Sequence, residues 1–282
     1  MTLEFLYDIL IEALTITGFV VGMMILIEFI NVKTSGVWSK WLSKSPWLQI
    51  IIGAIMGVLP GCFGTYTMVS LYVQRVVIFP ALMATLVATA GDEIFFMFAQ
   101  FPDKALVIIG ILFVLAIAVG LVLQLTMKDK FIGLAQSPVS LSEDAHGHHH
   151  HYENDGILRH LWKHVIKEHL PKVFIWSFAI ILGIKLLENY IDFQNIITNN
   201  LYIVLLLALL IGIIPQSGPH IIFVMLFAQG SIPFSILLAN SIVQDGHGAL
   251  PLIAESRKAF VVSKAIKLVI GGAVGILGIF SY

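Results

Sequence analysis

Apolar residues along this chain gather into ten segments, five on either side of one polar insert. The first set runs over about Phe5 to Ile30, Trp47 to Leu59, Thr65 to Val73, Val77 to Ala99 and Ala105 to Met127. The second covers about Leu170 to Tyr190, Asn199 to Ile214, His220 to Gln229, Ile232 to Ile253 and Phe260 to Tyr282. A helix needs roughly 20 apolar residues to cross the hydrocarbon core, and the first, fourth and fifth members of each set are long enough. The second and third are short and meet at a Pro/Gly break. One break holds Pro60, Gly61, Cys62 and Gly64; the other holds Pro215, Ser217 and Gly218. Backbone freed by such a break must be buried in protein or line a wet cavity. Each short pair is therefore expected to be a hairpin with its tip inside the membrane.

The two sets read as copies. Gly57-Val58-Leu59-Pro60 matches Gly212-Ile213-Ile214-Pro215, and Pro80 matches Pro233. Asp92 follows Pro80 by 12 residues, as Asp245 follows Pro233. Gly22 to Glu28 resembles Gly183 to Glu188. Four matches in one order point to an internal repeat. The domain organisation expected is a first membrane repeat over 1–127, an insert over 128–169 and a second repeat over 170–282.

Charge orients this pattern. Lys33, Lys40 and Lys44 follow the first segment, and Arg75 follows the first hairpin. Lys128, Lys130, Arg159, Lys163 and Lys167 lie in the insert, and Arg257 and Lys258 follow the fourth segment of the second set. The alternate loops hold little beyond Lys104 and Lys185. Loops rich in Lys and Arg face the cytoplasm, so the insert is expected inside and both termini outside. With an odd number of segments per set the second copy is inverted. The fold class expected is an all-α membrane protein of about ten segments in two inverted repeats of five, with its site near the midplane at the two breaks.

Composition agrees with lipid as the solvent. Only 12% of the 282 residues are charged and 58% are hydrophobic, with a mean hydropathy of +0.94; a soluble domain carries about 25% charged residues. A formal net charge of -1 argues against nucleic acid as partner. One cysteine excludes an intrachain disulfide framework and a multi-cysteine metal cluster. The first residues carry acids where a secretory signal would be basic, so the first apolar segment is expected to be retained.

The stretches Gly57 to Gly64 and Gly212 to His220, together with Ala90-Gly91-Asp92-Glu93 and Ser241 to Gly248, carry a family resemblance. The chain resembles the manganese-transporter or ten-helix heavy-metal exporter family, also described as arsenic-efflux-like permeases. The resemblance covers nearly the whole chain apart from the insert. It implies an exporter of the bacterial cytoplasmic membrane with ten membrane segments.

Chemistry concentrates beside the breaks. Asp92 and Glu93 lie inside the fourth apolar segment, and Asp245 and His247 in its counterpart. A charged residue at the bilayer centre costs about 2.5–3.5 kcal/mol on insertion scales, so such carboxylates should face the bundle interior and find a cation or a proton. The alternative is a solvated vestibule at the helix end. Gly91, Gly246 and Gly248 suggest unwound backbone whose carbonyls could add oxygen ligands, and oxygen plus one imidazole suits Mn²⁺ better than Zn²⁺ or Cu⁺. His220 either holds its turn together or joins a cation site. Asn240 and Gln244 could be ligands or make interhelical hydrogen bonds. Cys62 is expected to pack in its turn. Glu4, Asp8 and Glu12 share one face of the first helix, with Glu12 deeper; Glu28 and Glu188 are expected at the interface.

In the insert, His146, His148, His149, His150 and His151 form a tract of the kind that binds divalent transition metals. It is expected to collect or sense metal rather than transport it. From Ile157 an apolar side and a basic side alternate as in a helix lying on the membrane surface. On it His160, His164 and Glu168 share a face that could hold a metal or simply be solvated. No Walker motif is present, so the leading function is a secondary-active exporter of a divalent metal, manganese favoured, with protons as coupling ion. Its partners are the bilayer and the metal, with oligomerisation left open; no cofactor is required, the metal being substrate. Asp92 and Asp245 are expected to converge and share a proton that the metal displaces. A permease for an arsenical or other neutral or anionic solute is the alternative, and a membrane metalloenzyme ranks below both.

Overall fold

The computed structural model describes residues 45–73, 75–127, 131–133, 200–215 and 218–280, with positions 6, 7, 9–11, 13–15, 17, 18, 171, 174, 175, 178, 179 and 182. Among these residues every regular element is a helix. A helix satisfies its own backbone hydrogen bonds, as lipid requires of any chain that crosses it. In the first half the helices are α1 (Pro46–Val58), α2 (Phe63–Val73), α3 (Phe79–Ala88), α4 (Glu93–Gln100) and α5 (Pro102–Thr126). In the second they are α6 (Leu201–Gly212), α7 (Ile221–Ala228), α8 (Phe234–Val243), α9 (Leu250–Glu255) and α10 (Arg257–Phe280), with 3-10 turns at Gly218–His220 and Gly246–Ala249. Proline stands in the first turn of α1, α3, α5 and α9, where its missing N–H leaves no gap in the hydrogen-bond ladder.

The two halves are built alike. α1, α3 and α5 pack on one another, and so do α6, α8 and α10. The middle helix of each group is enclosed: all ten residues of α3 are buried, and eight of ten in α8. The outer helices turn apolar side chains outward, among them Leu106, Val114 and Leu125 on α5, Leu206 and Leu210 on α6, and Val269 and Leu277 on α10. A continuous apolar exterior of this kind belongs against lipid. Among the described residues three stretches are long and apolar enough to cross a membrane: Phe79–Gln100 taken through its break, Pro102–Thr126 and Arg257–Phe280.

The fourth segment of each set is a broken helix, with the unwound backbone that its glycines suggest. After α3, Thr89 is extended (ψ 129°) and Gly91 takes φ 59° before α4 begins. After α8, Gln244 is extended (ψ 154°) and Gly246 takes φ 55°. A left-handed backbone costs an L-residue about 1–2 kcal/mol and glycine nearly nothing. In the first half the turn between α1 and α2 touches this break, with Gly61 N–H donating to Gly91 O at 3.4 Å.

Candidate functional site

The breaks of the two halves meet inside the bundle. The Gln244 side-chain amide donates to Thr89 O at 3.2 Å. A methyl group placed on Gly91 would lie 3.6 Å from Gly246 Cα. α2 packs on the Gly246–Ala249 turn, and α4 packs on α7. The two breaks are thus drawn to one junction, where ends of α3, α6 and α8 leave carbonyl groups without intrahelical partners.

Two lysines of α10 supply those partners. Lys264 is 4% exposed and Lys267 is fully buried. Lys267 Nζ donates to Leu86 O at 2.5 Å and Gln244 O at 2.7 Å, and pairs with Asp245 Oδ1. Lys264 Nζ donates to Gly212 O at 2.9 Å and Val243 O at 2.8 Å, and pairs with Asp245 Oδ2 at 2.6 Å. An ammonium group has three donors, and each lysine has three oxygen partners. The positive groups also sit at the negative ends of helix dipoles.

Beside this closed triad lies a cluster of the opposite kind. Glu93, at the start of α4, is fully buried, and neither carboxyl oxygen has a hydrogen-bond partner. His220 Nδ1 faces Glu93 Oε1 at 3.7 Å across the two halves. The other ring nitrogen, Nε2, lies 3.2 Å from Ile214 O. A carbonyl only accepts, so Nε2 carries the hydrogen and a neutral ring turns its Nδ1 lone pair toward Glu93. Asn240 donates to Ala208 O at 2.7 Å, leaving its buried Oδ1 without a partner. Gln244 likewise uses its NH₂ group on Thr89 O and leaves Oε1 without one. Thr65 Oγ1 and Ser241 Oγ join the same set of buried atoms.

The residues singled out by sequence fall unevenly. Glu93, His220, Asn240 and Gln244 come to the junction, and the last three make the bland hydrogen bond as well as offering a lone pair. Asp92 is buried and receives the Cys62 thiol, whose Sγ lies 3.7 and 3.8 Å from its two oxygens; the turn Pro60–Cys62 thus packs against the first break. Asp245 departs from expectation. It takes its countercharge from Lys264 and Lys267, which α10 brings into contact with both of its carboxyl oxygens. His247 stands on the Gly246–Ala249 turn, and its side chain lies outside the described residues. Also outside them are Ser217, Glu4, Asp8, Glu12, Glu28, Glu188, the tract His146 and His148–His151, and His160, His164 and Glu168. Among the described residues no three His, Cys, Asp or Glu side chains group closely enough to hold a metal alone.

Lys264 and Lys267 are the residues the sequence reading passed over. Their signal was present: two lysines three residues apart within the last apolar segment, where a charge is costly and needs a partner.

The all-helical architecture of the described residues agrees with what the chain resembles. No curated protein and no solved structure matches it. A family model matches over residues 2–200 and 172–277, most of the chain, and on that match the protein belongs to the ArsP_2 family, described as "Putative, 10TM heavy-metal exporter".

Proposed function

We propose that this chain is a secondary-active exporter of a divalent metal cation, manganese first, that exchanges the metal for protons at Glu93. The carrying observation is the set of buried lone pairs without donors: Glu93 Oε1 and Oε2, His220 Nδ1, Asn240 Oδ1 and Gln244 Oε1. Buried polar atoms are normally hydrogen-bonded, and a dry group of acceptors is costly unless a cation or a proton completes it. One carboxylate, one imidazole and amide oxygens make a mostly hard donor set, which suits Mn²⁺ better than a thiolate-selecting metal. Asp92 and Cys62 stand at the neighbouring break as further ligands along the path, with the backbone around His247 opposite. An anionic or arsenical solute would need free donors. His220 Nε2–H and both ammonium groups are already engaged, and Asn240 and Gln244 each have one N–H on a backbone carbonyl, which leaves few donors for that alternative.

The like order of elements in the two halves supports an inverted repeat, with the metal held where the copies meet. In this reading the protein lies in the cytoplasmic membrane with both termini outside, and the histidine tract of the insert gathers metal on the cytoplasmic side. The test is metal accumulation in inside-out vesicles with Mn²⁺, Zn²⁺ or Co²⁺, with and without a pH gradient. Mn²⁺ accumulation should require the gradient. In Glu93→Gln it should fall by at least the roughly 10–100-fold that follows loss of even an outer-shell metal partner. Unchanged transport in folded Glu93→Gln protein would end the assignment.

A further inference from the structure

Outside the acceptor cluster, the strongest unexplained feature is the pair of oxygen cages around the α10 lysines. Leu86 O, Gln244 O and Asp245 Oδ1 surround one nitrogen; Gly212 O, Val243 O and Asp245 Oδ2 surround the other. Gly212 and Val243 are the last residues of α6 and α8, and Leu86 lies in the last turn of α3. Carbonyls at the C-terminal ends of broken helices, together with a carboxylate, are the groups that coordinate small cations in membrane transporters. Here the cation is covalently attached. Leu86 belongs to the first half and the other ligands to the second, so Lys267 also ties the two halves together.

We infer that the ammonium groups of Lys264 and Lys267 are built-in cations occupying two carbonyl–carboxylate sites, and that without a lysine such a site binds a small dissolved cation. Each lysine has as many oxygen partners as donors; the cage oxygens match an alkylammonium ion in count and sign, and suit Na⁺ or K⁺ in sign, with water completing the shell of either ion. The consequence is that Na⁺ and K⁺ have no place in these two cages in the intact protein. Lys267→Ala removes the ammonium and its stem but leaves the oxygens, opening a site of the right charge with room for ethylammonium. This inference concerns different atoms from the acceptor cluster, and its readout is stability, so it stands or falls separately from metal export.

The experiment follows the thermal unfolding midpoint of detergent-purified protein against NaCl, KCl and ethylammonium chloride, with choline chloride holding ionic strength constant. With both lysines present and the acceptor cluster neutralised by Glu93→Gln, the midpoint should be flat. Lys267→Ala should melt roughly 10 °C lower, as expected for a broken buried ion pair, and at least one of the three cations should restore it saturably. Lys264→Ala provides the same reading at the other cage if Lys267→Ala does not fold. A folded variant indifferent to all three cations would overturn the inference. So would saturable stabilisation by Na⁺ or K⁺ of Glu93→Gln protein with both lysines intact, which decides the matter even if neither lysine variant folds.

Discussion

Asp92 and Asp245 stand at corresponding places in two similar breaks, yet their surroundings differ. Each lies next to a glycine of nearly the same left-handed φ, 59° at Gly91 and 55° at Gly246, and each break follows a buried helix capped by an extended residue. Asp92 meets a thiol, a weak donor, at 3.7–3.8 Å. Asp245 meets two ammonium groups. Like backbone in two halves has been given unlike chemistry. Groups with complete partners hold the junction together, and groups left incomplete, Glu93 above all, are where a cation has something to gain by arriving.

This contrast can be broken most sharply at Asp245. Asp245→Asn removes the countercharge of two buried lysines and should cost about 3–5 kcal/mol, seen as a large fall in the unfolding midpoint in detergent. Adding Lys267→Met to that variant should recover part of the loss, because fewer buried charges are then left uncompensated. If Asp245→Asn leaves stability unchanged, the triad is not holding the junction and the two aspartates are alike after all.

Asp92→Asn should be read in transport: vesicle metal transport should fall by roughly tenfold or more. A stable variant with wild-type transport at limiting metal would place Asp92 off the path.

The smallest expected effect sharpens the comparison from the backbone side. Gly91→Ala and Gly246→Ala should each cost about 1–2 kcal/mol, the price of a left-handed backbone. Near-equal shifts in the unfolding midpoint would establish that the breaks are alike in conformation and differ only in side-chain partners. A neutral result at either glycine would show that its break relaxes without the left-handed turn.

Much of the architecture was legible because its signals are local. Pro60 marked the turn between α1 and α2, and Gly91 and Gly246 marked unwound backbone, since each residue type limits or frees its own φ. Glu93 and His220 were legible as polar residues where polarity is expensive. Their meeting across the two halves was not, because it depends on α4 packing against α7. Pairing Asp92 with Asp245 erred for a related reason. Symmetry in sequence shows which positions correspond but not which third element inserts between them, and here that element is α10 with Lys264 and Lys267. Lysines in a last apolar segment can be read as interfacial until the depth of their helix is known.

By itself the sequence determined that this chain lives in lipid, that it is helical, that it is interrupted at fixed points, and that few polar residues are placed deep within it. These follow from composition, segment length and the conformational limits of proline and glycine, which act without reference to distant residues. The tertiary structure decided which polar atoms find partners. The ammonium groups of α10 reach the ends of α3, α6 and α8, and the amides of Asn240 and Gln244 bond Ala208 O and Thr89 O. What remains is a buried set of acceptors at Glu93 and His220. Hydrogen bonds and ion pairs are short-ranged and need atoms within a few ångströms, so only the packed chain assigns them.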